Sequence, residues 1–340
     1  MSELDRRLAV APMMDWTDRH CRFFLRQFSP HAVLYTEMIT AAALAHGDRE
    51  RLLAFDPAEH PVALQLGGSE PRALGLAAAW GAAAGYDEIN LNVGCPSDRV
   101  QSGAFGACLM AQPRLVAECV AAMRAQVAVP VTVKVRIGIE EGAGAVPRGL
   151  EYTAQDYERL HDFVVTVAAS GCTVFAVHAR KAILKGLSPK ENREVPPLRY
   201  EVVRRLKADF PQLAIIANGG VRNLDQVRDL LLGVDGVMIG REAYHNPYLL
   251  AQIEGSLYPQ AGWVPPSRLE VLERFTLYAE DHLRNGHTLS AMTRHILGLF
   301  SAQTGARGWR RYFSEASRRE GAGIEVLQQA CDMLRRQQAA

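Results

Sequence analysis

The sequence predicts an α/β protein, a (β/α)8 TIM barrel followed by a small C-terminal helical domain. Eight short β-rich runs recur over roughly the first 250 residues, helical patterns separate them, and only helical patterns follow Pro265 and Pro266. Strands and helices that alternate over this length are typical of a barrel of parallel strands. A doubly wound open sheet is the structural alternative.

The strands are predicted from aliphatic runs that end in glycine or a polar residue, such as "VALQLGG" and "VTVKVRIG". The eight runs begin at Leu8, Val33, Val62, Glu88, Val131, Thr173, Leu213 and Asp235. The intervals after the fourth, fifth and sixth runs are the longest. Their extra segments, such as "GIEEGAGAVPRGLEY" and "RKAILKGLSPKENREVPPLRY", would lie at the C-terminal face of a barrel, where active sites are built.

Three helical patterns between the strands have recognisable ends. The first has Ser69 or Glu70 as N-cap, Pro71 in its first turn and Gly85 at its end. The second covers 112–126, and the third follows Asn223, a residue type that caps helices.

The C-terminal part has apolar residues at helical spacing in "RLEVLERFTLYAEDHLRNG", which stops at Gly286. Residues 289–303 and 324–338 predict further helices. We therefore predict a barrel domain over 1–254 and a helical domain over 255–340.

Composition excludes several classes of protein. The chain has 340 residues, of which 48% are hydrophobic and 22% charged, as in globular proteins. It has no run of 18 apolar residues and no secretory signal, so neither a membrane span nor export is expected. Six dispersed cysteines without CxxC favour reduced thiols in the cytoplasm, and neither they nor the single histidines predict a metal site. Neither GxGxxG nor GxxxxGK[ST] occurs, which argues against a built-in NAD domain or P-loop. We expect a monomer.

Strand alternation places polar side chains in the barrel lumen. The aliphatic face of each strand packs against the outer helices, so the opposite face points inward. The inward set comprises Gln65, Asn90, Asn92, Lys134, His178, Arg180 and Asn218. Burial without partners would cost about 1–3 kcal/mol for each group. Either these groups satisfy one another, or a planar polar ligand satisfies them, and Lys134 and Arg136 favour a ligand that becomes anionic.

Two glycine motifs, "IIANGGVRN" and "MIGREA", end the last two strands. Loops at these positions form the usual phosphate site of such barrels, and Arg241 could add a bidentate contact. Together with the polar lumen, they predict a phosphorylated isoalloxazine, FMN.

Cys95 follows the fourth strand between Gly94 and Pro96. Cysteine with an ordinary pKa of about 8.5 is mostly thiol at pH 7 and can donate a proton. The alternative is a small buried hydrophobe, which is our interpretation of Cys21, Cys119, Cys172 and Cys331.

Several motifs together resemble the tRNA-dihydrouridine synthases. They are "APMMDWTDRHCRFFLR", "YTEMI", "QLGG", "EINLNVGCPSDRVQSGAFGACLM", "VKVRIG", "VHARKA", "ANGGV" and "MIGREAYHNP". The long cysteine motif and "LSPKENREVPPLRY" most resemble the A subfamily. The resemblance is dense over residues 8–250 and loose in the helical tail.

The resemblance implies FMN as cofactor, NADPH as reductant and tRNA as substrate. The implied cofactor-binding residues are Pro12, Met13, Met14, Gln65, Lys134, His178, Asn218, Gly219, Gly220, Gly240 and Arg241. Asn92, Arg180 and Arg193 would bind the target uracil, and Cys95 would be the general acid. NADPH would reduce FMN, N5 of the flavin would pass hydride to uracil C6, and Cys95 would protonate C5, giving 5,6-dihydrouridine at D-loop positions 20 and 20a.

The tail supports an RNA partner. Residues 261–340 contain 11 arginines, no lysine and 8 acidic residues, a net charge of +3. Arg294, Arg307, Arg310 and Arg311 are the predicted contacts to the D-loop and elbow of tRNA, and Trp309, Tyr312 and Phe313 lie among them. A solvated helix face with buried aromatics is the alternative.

Two other functions remain open at this point. An FMN barrel that acts on a free pyrimidine or enone, as dihydroorotate dehydrogenases and ene-reductases do, explains the lumen but not the tail. A non-catalytic RNA-binding module explains the tail but not Cys95 and Lys134.

Overall fold

The computed structural model describes residues 4–96, 105–140, 151–259 and 263–339. It confirms the predicted TIM barrel, which has eight parallel strands. These are β1 (Leu8–Val10), β2 (Val33–Thr40), β3 (Val62–Gly67), β4 (Glu88–Val93), β5 (Val131–Arg136), β7 (Val174–His178), β9 (Ala214–Asn218) and β10 (Gly236–Ile239). The barrel closes in the order β1-β10-β9-β7-β5-β4-β3-β2. Each begins within one residue of its predicted start.

Helices alternate with these strands and continue after them. Those within the barrel sequence are Arg19–Arg26, Ala41–His46, Arg49–Leu53, Pro71–Ala84, Pro113–Arg124, Ala154–Ala169, Tyr200–Asp209 and Leu224–Leu231. Those that follow are Arg241–His245, Tyr248–Leu257, Arg268–Arg284, Leu289–Thr293, Ala306–Ala316 and Glu325–Ala339. Short 3-10 helices cover Pro57–Glu59, Gly106–Ala111, Glu191–Arg193 and Ile296–Phe300.

The predicted caps are confirmed, and they show how side chains fix the helix ends. The carboxylate of Glu70, not Ser69, accepts the N–H groups of Arg72 and Ala73. The same helix ends at Gly85, whose φ of +101° favours glycine. Asn223 caps its helix by accepting the N–H of Gln226.

Two features were not predicted. β6 (Ile139–Glu140) and β8 (Ala182–Ile183) form a separate two-stranded sheet in the segments that follow β5 and β7. Strands of two residues carry too little periodicity to be recognised. The helix expected over 289–303 is instead divided into the Leu289–Thr293 helix and the 3-10 helix Ile296–Phe300. Within the 3-10 helix, Gly298 lies close to the backbone of Tyr244: a Cβ there would lie 2.6 Å from the Tyr244 carbonyl oxygen.

The chain divides into two compact units. One contains the chain up to Met14 and Ala32–Gly240, including every barrel strand, and the other contains Asp15–His31 and the chain from Arg241 onward. The proposed domain boundary at residue 254 stays a prediction. Within the described residues, no helix is long and apolar enough to cross a membrane.

Candidate active site

The lumen has an apolar lower part that supports the polar groups above it. Inward-facing side chains near the strand starts form one buried cluster: Ala9, Ala11, Val33, Tyr35, Ala63, Val174, Ala176, Ile216 and Met238. Many of them are small, so the strands can approach closely in a filled barrel. The polar set lies further along the same strand faces, towards their C-terminal ends.

A buried hydrogen-bond network forms the first polar level. Gln65, Asn90 and Thr132 are neighbours in the strand register. Nε2 of Gln65 donates to Oδ1 of Asn90 and Nδ2 of Asn90 donates to Oγ1 of Thr132, both at 2.8 Å. Thr132 in turn donates to the carboxylate of Glu88 at 2.7 Å. Asn90 therefore supports the site from within the barrel wall.

Glu88 is the charged centre of this network. It is fully buried, it accepts a hydrogen bond from the Tyr35 hydroxyl, and its other oxygen lies 2.8 Å from a guanidinium nitrogen of Arg6. Burial, and then the Glu88 charge, raise the pKa of Tyr35, so the phenol remains a neutral donor. Glu88 is not among the predicted site residues, although the alternation in "EINLN" places it inward with Asn90.

Asn92 fixes the segment that contains Cys95. Its Oδ1 accepts the backbone N–H groups of Gly94 and Cys95, each at 3.0 Å, and its Nδ2 donates to Gln65 at 2.8 Å. Nε of Arg136 donates to the Gly94 carbonyl at 3.1 Å. Cys95 itself is partly exposed, and its carbonyl accepts the N–H of Ala107. The strand end, the amide and the guanidinium together set the position of this cysteine.

Arg136 joins three segments at the mouth of the barrel. Besides Gly94, its guanidinium donates to the carbonyls of Lys181 and Asn192 at 3.2 and 2.8 Å. Asn192 is fully buried and pairs with both backbone groups of Ile183, so it holds the loop that precedes Arg193. No sequence pattern marks Asn192, because its role depends on this tertiary pairing.

Lys134 lies at the same mouth of the barrel. Its ammonium donates one hydrogen bond within the described residues, to Oδ1 of Asn218 at 3.0 Å. Asn218 is oriented by its own bond to the Met238 carbonyl at 2.8 Å. Burial, and then the charge of Arg136, lower the pKa of Lys134 to about 7. An anionic ligand would restore the protonated ammonium.

His178 is buried beside these cations. Burial, followed by the charges of Arg136, Lys134, Arg180 and Arg193, holds its pKa well below the usual range, so the ring is neutral. Its Nδ1 has no hydrogen-bond partner among the described residues. Gly219 explains how the ring fits, since a Cβ there would lie 2.8 Å from it.

FMN fits what these residues leave unfilled. The Nδ1 of His178 and the remaining ammonium protons of Lys134 are not used by the described residues, and their chemistry suits the carbonyl oxygens and ring nitrogens of an isoalloxazine. Gly219 and Gly220, with φ of +110° and +72°, follow β9 in conformations that favour glycine. A Cβ at Gly240 would meet nothing closer than 3.9 Å, which leaves room at the end of β10.

The comparisons with known proteins decide the family. The model of the family described as dihydrouridine synthase matches residues 9–335. The chain belongs to the dihydrouridine synthase family. Three proteins named tRNA-dihydrouridine(20/20a) synthase are similar to it: 57% identical in Synechocystis sp. over 95% of this chain and 93% of the relative, 54% in Vibrio vulnificus over 95% of both, and 54% in Pseudomonas aeruginosa over 97% and 96%.

The remaining predicted site residues of this dihydrouridine synthase family member differ in their burial and in the contacts that they make. Pro12 and Met13 are half-buried just after β1, and Met14 is exposed. Arg180 donates through Nη1 to the carbonyls of Glu194 and Pro196, so part of its guanidinium holds the following loop. Arg193 is exposed, yet its charge reaches His178 and Arg136. Arg241 begins a helix in the other unit.

The arginine-rich segment of the second unit is partly as expected. Arg307, Arg310 and Arg311 are exposed and share one face of the Ala306–Ala316 helix, at spacings of three and four residues. Arg294 is paired with Asp18 at 2.6 Å. Of the aromatic residues that lie among these arginines, Trp309 and Phe313 are buried, as in the alternative of a solvated helix face, and Nε1 of Trp309 donates to the Ile296 carbonyl.

Residues 97–104, which belong to the cysteine motif, and 141–150, in the interval after β5, lie outside the described residues. Cys108, within the same motif, donates its thiol proton to the Phe105 carbonyl at 3.0 Å.

Proposed function

We propose that this chain reduces uridines 20 and 20a in the D-loop of tRNA to 5,6-dihydrouridine, with FMN as cofactor and NADPH as reductant. The incompletely bonded polar mouth of the barrel, with Cys95 held beside it, is the observation that supports this reaction. The names of the similar proteins supply the two positions.

Lys134, His178, Gln65 and Asn218 would hold FMN, which supplies a hydride equivalent when bound and reduced. The ammonium of Lys134 would stay protonated beside a negative flavin ring. His178 would accept or donate one hydrogen bond through Nδ1, while Asn218, Gly219, Gly220, Gly240 and Arg241 would bind the phosphate end. Pro12, Met13 and Met14 would add apolar contacts from the end of β1.

Cys95 would supply the proton. A uracil that has gained hydride at C6 carries an electron pair at C5, and transfer of the Sγ proton to C5 completes 5,6-dihydrouracil. Asn92 would act by fixing the backbone of Cys95, because its amide oxygen already accepts two N–H groups there. Arg180 and Arg193 would contact the uracil or its phosphates from the loop after β7.

The uridine must leave its stack to enter the lumen, which costs a few kcal/mol and is cheapest in an RNA loop. Arg307, Arg310 and Arg311 would contribute phosphate contacts, and Arg294 would do so from beside Asp18. This requirement favours a D-loop substrate over a paired stem.

The test is incubation of the purified protein with NADPH and tRNA that lacks dihydrouridine, followed by nuclease digestion and mass spectrometry. We expect a gain of two hydrogens at positions 20 and 20a. No gain in a yellow protein that oxidises NADPH would instead favour a free pyrimidine or enone as substrate.

A further inference from the structure

Three histidines from distant parts of the sequence meet within the second compact unit. His20 lies in the Arg19–Arg26 helix, His282 in the last turn of the Arg268–Arg284 helix, and His287 just beyond it. One ring nitrogen from each lies within 4.8 Å of the others. Their ring centroids are 4.9, 5.1 and 4.8 Å apart.

The helix end explains how His282 and His287 become neighbours. Gly286 has a φ of +84°, which turns the chain back, and the N–H of His287 then bonds to the His282 carbonyl at 3.0 Å. Two histidines separated by four residues match a ligand spacing that is common in zinc sites.

His20 has the environment of an oriented metal ligand. It is buried, and its Nδ1 lies 2.8 Å from the hydroxyl of Tyr278. Histidine ligands usually make such a bond through their second nitrogen, because it fixes the tautomer and the ring orientation. Nε2 is then the nitrogen that could bind an ion.

We propose that His20, His282 and His287 bind one zinc-type divalent transition-metal ion, with water as the fourth ligand. Three imidazoles suit Zn²⁺, whereas Mg²⁺ and Ca²⁺ require oxygen ligands. Nitrogens bound tetrahedrally at about 2.0–2.1 Å lie about 3.4 Å apart, so the rings close slightly around the ion. The ion fastens the Arg19–Arg26 helix to the end of the Arg268–Arg284 helix, independently of the proposed reaction.

The test uses full-length protein without a histidine tag, stripped with a chelator and titrated with Zn²⁺ by calorimetry. His287→Gln removes a partly exposed ligand, and His282→Gln is the second variant should the first fold poorly. Tyr278→Phe removes only the bond that orients His20. His46→Gln, at an exposed histidine outside the cluster, is the matched control.

We expect one Zn²⁺ per wild-type chain, a higher Tm on binding, and no competition from Mg²⁺. Tyr278→Phe should weaken binding about 10–100-fold, His287→Gln by more than that, and His46→Gln not at all. Wild-type protein that takes up no stoichiometric Zn²⁺, or His287→Gln protein that binds it as tightly as wild type, overturns the proposal. Edge-to-face packing of the three rings would then explain the cluster.

Discussion

The barrel lumen has two polar levels: a lower one of Glu88, Thr132 and Asn90, and an upper one of Lys134 and His178 at the mouth. Both contain polar or charged side chains, but the two levels differ in how the hydrogen-bonding groups of these side chains are satisfied. In the lower level, Glu88, Thr132 and Asn90 pass hydrogen bonds from strand to strand, and Arg6 neutralises the charge. In the upper level, Lys134 and His178 retain hydrogen-bonding capacity that no described residue uses.

This difference separates scaffold from site. A buried network whose members satisfy one another adds rigidity, whereas unpaired buried groups cost free energy unless a ligand completes them. The interpretation that the polar lumen groups satisfy one another is confirmed for the lower level, whereas a ligand that satisfies the upper level stays a prediction. Cys95 lies at the boundary, since the satisfied amide of Asn92 positions it beside the unsatisfied groups.

Cys95→Ala should give the largest effect, a loss of turnover, and should leave the hydrogen bonds of the lower level intact. Loss of a general acid lowers turnover about 10²–10⁴-fold, while FMN content and Tm stay at wild-type values. Turnover of dihydrouridine-free tRNA with NADPH measures this. Cys108→Ala is the matched control and should retain activity; equal activity in both variants would refute the acid role of Cys95.

Glu88→Ala should break the lower level. It leaves the guanidinium of Arg6 without its buried carboxylate, where the paired side chains are 9% and 0% exposed. The free energy of unfolding should fall by about 3–5 kcal/mol, measured by urea denaturation. Asp5→Ala removes an exposed partner of Arg7 and should cost less than about 1 kcal/mol. Similar losses in both variants would mean that the network contributes no special stability.

Asn92→Ala tests the link between the levels. Two backbone N–H groups lose their acceptor, at about 1 kcal/mol each, and kcat should fall roughly tenfold or more while bound FMN is retained. Asn92→Asp keeps an acceptor oxygen and should recover most of kcat. A change confined to KM would instead assign Asn92 to base recognition.

The helical unit differs from the barrel because its exposed arginines need no exact hydrogen-bond geometry: their positive charge can attract the tRNA phosphates over a distance. Reversal of Arg310 and Arg311 to glutamate should weaken tRNA binding and reduce the slope of log K against log salt by about 1–2. Filter binding at several salt concentrations measures it. Arg335→Glu is the control, because Glu273 and Asp332 already neutralise this guanidinium. An unchanged slope in the double variant would place the RNA contacts elsewhere.

Lys134 should give an effect on stability that depends on pH with a definite sign. Its pKa is about 7 in the folded protein, below the value of about 10.4 in an unfolded chain. The unfolded state therefore binds the extra proton between these values, so flavin-free wild type should gain stability relative to Lys134→Met as pH rises from 7 to 10. Below pH 7 the difference in stability between wild type and Lys134→Met should be constant. Denaturation curves of both proteins at pH 7 and 9.5 measure this. The same stability difference between wild type and Lys134→Met at the two pH values would show that Lys134 is not desolvated.

The sequence by itself determined the barrel, the inward strand faces and the helix caps. These depend on local rules: side chains alternate in strands, and residues such as Glu70 and Asn223 bond to N–H groups two or three residues away. The motif around Cys95 also indicated the family that the comparisons establish.

Only the tertiary structure decided which polar groups are satisfied. Glu88 meets Arg6, Asn192 meets Ile183 and Arg136, and His20 meets His282 and His287 through contacts that no periodicity encodes. Burial of the aromatic residues in the tail stayed open at the sequence level for the same reason, because burial of Trp309 and Phe313 depends on which elements pack over them. Alternation tells which way a side chain points, but hydrogen bonding and burial depend on neighbours that are distant in the chain.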